Sequence, residues 1–173
     1  MRKIVSNASP LIYLAKASLL SILLRIYDEI QIPMSVKVEC VDEGLRKGYI
    51  DAAIIKKYID DGVIRVHDLG KETKKRAELI SRMFDLEVGE SEVISLAISK
   101  RENEVLIDEK RARKVAKLFG LMPRGTLYLI FVAVKNGFLS KKEAIKKVND
   151  LIDKNFRIDI KVYRKFLELL ETL

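Results

Sequence analysis

The chain has 173 residues, enough for one domain with a real core. Apolar residues make up 49% and charged residues 34%, with a net charge of +8, no Trp, three Pro and eight Gly, which argues against a loop-rich or all-β chain. A basic surface attracts nucleic acid, anionic lipid or an acidic protein. One cysteine, Cys40, excludes an internal disulfide and a multi-Cys zinc site, and reads as a buried thiol. The abundance of Lys, Arg and Glu over Asn and Gln is common in proteins from hot environments.

In chain order, Ile4-Val5-Ser6 is a short β-branched strand that runs into the turn Asn7-Ala8-Ser9-Pro10. Pro10 fits the first turn of a helix over 10–16. A second helix over 18–27 carries Leu19, Leu20, Leu23, Leu24 and Tyr27 at helical spacing. A strand follows over 30–32, then a helix over 33–46 entered through Pro33. A helix over 50–60 ends at Asp61-Gly62, and Val63 to His67 alternates as a third strand. Two helices, over 73–84 and 89–101, precede the apolar strand 105–107. The helix over 110–119 is closed by Gly120, and Leu121-Met122 is a minor fifth strand.

The apolar stretch 126–135 is expected to be buried. Ser140 and Glu143 form a capping-box pattern at the start of the next helix, and a last helix covers 160–170. Strands alternating with helices imply a three-layer α/β/α domain around a parallel sheet of four to five short strands. The domain is expected over 1–138, with 139–173 a helical extension packed on it. The N-terminus reaches polar Asn7 too early for a signal segment, and no apolar run approaches the ~18 residues of a membrane span. A cytoplasmic protein without a membrane partner is expected.

Polar and acidic residues fall where open α/β sheets place ligands, at strand ends and helix starts. They are Asn7, Glu39, Glu90 and Glu92, and the pair Asp108-Glu109. Oxygen donors gathered without histidine point to a hard cation of the Mg²⁺ or Mn²⁺ type, beside which a basic groove suits phosphodiester hydrolysis. Each acid also has a plain structural use. Glu90 and Glu92 favour a helix N-terminus, Asp108 suits a helix cap, and Glu39 fits a solvated face. His67 lies far from them in sequence and reads as a hydrogen-bonded structural residue.

The order and spacing of several motifs resemble the PIN-domain superfamily over about residues 3–135. They are Val5-Ser6-Asn7-Ala8-Ser9-Pro10, Ile32-Pro33 with Val36 and Glu39, and Gly89-Glu90-Ser91-Glu92-Val93-Ile94-Ser95-Leu96-Ala97. Leu106-Ile107-Asp108-Glu109-Lys110-Arg111-Ala112-Arg113 and Gly125-Thr126-Leu127 complete the set. The narrower likeness is to a prokaryotic PIN-like group described as predicted nucleic-acid-binding proteins. The resemblance implies a Mg²⁺- or Mn²⁺-dependent endoribonuclease of the VapC toxin type, acting on single-stranded RNA. It also implies a small antitoxin partner and a homodimer.

By that resemblance Asn7, Glu39, Glu92 and Asp108 are the catalytic set. Glu90 competes with Glu92, and Glu109 with Asp108, for the metal. Ser9, Arg111, Arg113 and Thr126 would contact RNA. Asn7 stands where the family normally has an acid, so the first ligand brings no charge. A degenerate domain that holds RNA without cutting it is the alternative. In a third reading, the apolar helices over 19–27 and 126–135 are partner or dimer surfaces.

Overall fold

The computed structural model describes residues 2–173; Met1 lies outside the described residues. Five parallel strands form one sheet in the order β3-β2-β1-β4-β5: β1 Lys3–Ser6, β2 Glu29–Pro33, β3 Ile64–His67, β4 Glu104–Leu106 and β5 Met122–Arg124. Parallel neighbours cannot be joined by tight turns, so helices carry the chain between them. The fold is a three-layer α/β/α sandwich. The three central strands are apolar because both faces are covered: Ile4, Val5, Ile30, Ile32, Val105 and Leu106 are fully buried.

On one face, α1 (Ala8–Lys16) packs against α5 (Ile50–Asp60) and α9 (Thr126–Lys135), with α2 (Leu20–Ile26) beside α1. On the other, α7 (Val88–Lys100) lies across β1, β2 and β4, flanked by α6 (Lys71–Phe84) and α8 (Lys110–Leu118). The last helices, α10 (Lys141–Asp153) and α11 (Ile160–Glu171), pack on α9. Ala144, Val148, Leu151, Phe156, Phe166 and Leu170 join the same apolar core as the sheet. Phe156 meets the Tyr13 ring edge-on at 4.8 Å.

The expected helix over 33–46 is continuous in direction but not in winding. It comprises α3 (Met34–Lys37), a π-helical stretch Val38–Glu43 and α4 (Gly44–Arg46). A π turn accommodates an extra residue, shifts the faces on either side of it, and is common at functional sites. Gly44 is required here, since a Cβ on it would sit 2.6 Å from the Cβ of Ala52 on α5. The fifth strand is displaced by one residue and holds Pro123, which an edge strand tolerates because its missing N–H has no ladder partner to serve. The first helix begins at Ala8, with Pro10 in its first turn as expected. The capping box of Ser140 and Glu143 is present as expected. The apolar stripes offered as partner surfaces lie in the core: Leu19, Leu20, Leu23, Tyr27, Leu129, Ile130 and Ala133 are buried.

Candidate functional site

From β1 the chain steps outward to β2 and β3, then crosses to β4 and β5 on the opposite side. The crevice at the C-terminal ends of β1 and β4 is therefore the topological switch point, where such sheets bind ligands. Asn7 leaves β1 directly into it, and its N–H donates to the Leu106 carbonyl of β4 at 2.9 Å. Asn7 occupies the N-cap position of α1, yet its side chain caps nothing. A cap oxygen bonds the N–H of the second or third helical residue; the third here is Pro10, which has none, and the Asn7 side chain does not take the Ser9 N–H that remains. The Asn7 Oδ1 atom is buried and without a partner among the described residues. An orphaned buried acceptor is rare enough to call for a ligand, an ion or water.

Two further elements converge on that oxygen. A Cβ placed on Gly89 would lie 3.3 Å from Asn7 Oδ1 and 3.7 Å from Glu39 Oε2. The glycine thus leaves open a space that both donors face. The π-helical stretch delivers Glu39. Although Glu39 is open to solvent as a residue, its carboxyl is raised above the usual range, by lost hydration first and then by Glu87 and Glu43. Glu90 is buried in the first turn of α7, in a reciprocal capping box with Glu87 whose backbone N–H reaches Glu90 Oε2 at 3.2 Å. Burial pushes the Glu90 carboxyl up to about 6; the Glu87 N–H opposes this, while Glu109, Glu87 and Glu39 add to it. Glu39, Glu87, Glu90 and Glu109 thus form a mutually repelling acidic crevice.

Glu87 was not among the sequence candidates. Its signal was the spacing Glu87-Val88-Gly89-Glu90, a capping pattern with an acid in place of Ser or Thr. Glu92, two residues beyond Glu90, is engaged by α3: the Ser35 hydroxyl donates to its carboxylate. It lines a groove of about 640 Å³ between α6 and α7, with Lys74, Glu78 and Arg82.

Asp108 is occupied by the start of α9. It accepts the Thr126 N–H at 2.7 Å and the Thr126 hydroxyl at 2.6 Å. Burial raises its carboxyl, against the opposing pull of these bonds and of Arg113. Thr126 is fully buried, so it holds Asp108 rather than facing RNA. Arg113 donates to the Ile107 carbonyl at 2.9 Å. A Cβ on Gly125 would lie 3.0 Å from both Arg113 Nη1 and Asp108 Oδ1, so glycine is needed there too.

Glu109 is exposed and caps α8 through the Ala112 N–H at 2.7 Å. Arg111 is engaged by Asp85, donating to its carbonyl at 2.9 Å and its carboxylate at 2.5 Å. Ser9 is half-buried in the first turn of α1. Cys40 is buried in the π-helical stretch, its thiol pushed up to about 12 by burial and then by Glu39. His67 ends β3, and burial lowers its imidazole.

Among the described residues, no three of His, Cys, Asp or Glu stand close enough to enclose a metal ion by themselves. The residues nevertheless fit a hard divalent cation. The donors are all oxygen, the buried Asn7 carbonyl lacks a partner among the described residues, and Gly89 leaves the space beside it open. A family model described as a PIN domain matches residues 3–172. No curated protein matches the chain.

Proposed function

The chain belongs to the PIN-domain family, and from that premise we propose that it is a metal-dependent endoribonuclease of the toxin type, cleaving single-stranded RNA. The observation that carries this reading is the buried, partnerless Asn7 Oδ1 facing Glu39 across Gly89, with Glu90 beside them. Asn7, Glu39 and Glu90 would hold Mg²⁺ or Mn²⁺. When bound, such an ion neutralises charge developing on the phosphate and acidifies a coordinated water. Glu90 takes the place that the motif alone divided between Glu90 and Glu92. Asp108 is a positioning residue: it ties the end of β4 to α9 through Thr126 and so fixes one lip of the crevice. Arg113, half-buried at that lip, would orient a backbone phosphate.

A small acidic or amphipathic antitoxin, a homodimer and a cytoplasmic setting belong to the same proposal. Asn7 favours a second reading. With one charge fewer than an acid would bring, the domain would hold RNA without efficient cutting.

The test is cleavage of end-labelled single-stranded RNA in EDTA, Mg²⁺ and Mn²⁺. It compares the native chain with Glu90→Gln, Asp108→Asn and Asn7→Asp. Metal-dependent cleavage lost in Glu90→Gln and raised in Asn7→Asp establishes the nuclease. Cleavage only in Asn7→Asp establishes the binding module. Silence in all, with no metal-induced rise in Tm, overturns the site.

A further inference from the structure

The cation that the motif places next to the acids, Arg111, is engaged by Asp85. Tertiary structure brings another to the opposite side. The turn between α10 and α11 folds back onto α1, the helix that starts at Asn7. Tyr13 of α1 donates its hydroxyl to the Asn155 carbonyl at 3.3 Å, and its ring meets Phe156 edge-on. The turn itself is rigidly made. Asn155 is left-handed (φ 68°), a conformation that asparagine tolerates, and the N–H groups of Asn155 and Phe156 close it onto Ile152 and Leu151 at 3.0 and 2.9 Å. Phe156 is buried as its anchor, while Lys154 and Arg157 on either side are exposed and make no ion pair among the described residues. The ammonium of Lys16 lies 5.9 Å from the Tyr13 ring centre.

Tyr13 connects this turn with the crevice. It lies one helical turn beyond Ser9 on the same half-buried stripe of α1, about 9 Å along the helix from Asn7. Its hydroxyl is raised by burial first, raised further by Asp108 and lowered by Arg157.

We propose that the 154–157 turn is a second wall of the site, on which Arg157, with Lys154 and Lys16, holds backbone phosphates of a single-stranded RNA leaving the crevice along α1. Two or three uncommitted cations around a half-buried aromatic ring, on a preformed turn, match what sequence-tolerant single-strand binding uses. The inference rests on the ribonuclease reading and assigns a role to the C-terminal helices, which that reading leaves idle.

The experiment is fluorescence anisotropy of a short labelled single-stranded RNA with the full chain, titrated over salt in EDTA. It compares Arg157→Ala, Arg157→Lys and the charge-matched control Arg164→Ala on α11. Arg157→Ala is expected to weaken binding about fivefold at 0.1 M salt and to reduce the salt slope by about 0.7, the value for one phosphate on a single strand. Arg157→Lys should restore most of the affinity, and Arg164→Ala should bind like the native chain. If Arg157→Ala matches the control while the native chain binds and cleaves RNA, the second wall is overturned and the nuclease stands. If the native chain neither binds nor cleaves RNA, both fall.

Discussion

The two ends of the sheet carry the same kind of side chain in opposite electrostatic company. At the N-terminal end, Glu29 is buried between Lys3 at 3.1 Å and Arg65 at 3.0 Å. Glu104, also buried, is held by Arg2 at 2.9 Å and Arg124 at 2.7 Å. Burial alone would raise the Glu104 carboxyl, but hydrogen bonds from Arg124 and Arg2 overcome it and hold it below the usual range. At the C-terminal end, Glu39 and Glu90 face other acids, and both carboxyls are raised. A fold seeking stability alone would neutralise both ends. The one left unneutralised is the end where α/β sheets bind ligands, and strongly perturbed groups in a crevice mark functional sites.

The largest expected effect sharpens this contrast. Glu39→Gln should lower Mn²⁺-dependent cleavage by at least about 100-fold, since changes even one shell out from a metal cost about 10–100-fold. It should also abolish the rise in Tm caused by Mn²⁺ in the native chain. Equal loss of cleavage per folded molecule in Glu104→Gln would break the contrast.

Glu104→Gln should instead act on stability. It loses charge-assisted bonds from two arginines, and urea unfolding should show a cost of about 2 kcal/mol at pH 7. The pH dependence has a definite sign. The native Glu104 carboxyl lies below its ordinary 4.5, so its contribution is complete above that value and is lost as pH falls through the lower folded one. Glu104→Gln should flatten this acid loss.

Glu90→Gln should move stability the other way. Between its ordinary 4.5 and about 6 the folded chain binds more protons at Glu90 than the unfolded chain does. Glu90 therefore destabilises the fold at pH 7, and the native chain gains stability as pH falls through about 6. Gln preserves the capping box and removes the charge, so urea unfolding at pH 7 should show a gain of about 1 kcal/mol. A loss would mean that a cation already offsets the repulsion in solution.

The smallest effect is expected at Arg111→Ala. Its pair with Asp85 is exposed on both sides, and such pairs contribute about 0–1 kcal/mol. RNA affinity should change less than in Arg157→Ala, measured by the same anisotropy titration.

Much of this molecule was legible along the chain. The β-branched strand Ile4-Val5-Ser6 and the run Val105-Leu106-Ile107 announce central parallel strands, because only strands covered on both faces are so apolar. Asn7 and Asp108 were marked by following them. Part of the freedom of the Asn7 side chain is written locally, since Pro10 removes one of the two N–H groups it could cap.

What the chain could not decide was orientation. Glu90 and Glu92 share one helical turn, but about 200° of rotation separates them, and only the seating of α7 across β1, β2 and β4 turns Glu90 to the acids and Glu92 to Ser35. The π turn that carries Glu39 leaves no mark in the hydrophobic pattern, and neither does the close approach of Gly44 to Ala52 across the interface with α5, which only the packed helices reveal. Arg157 lies 49 positions from Asp108, and the turn that carries it is set against α1 by the packing of Phe156 on Tyr13. Sequence set which residues end strands and begin helices, through local sterics and periodicity. The tertiary structure chose which of their side chains meet, because packing fixes the rotation of each helix about its own axis.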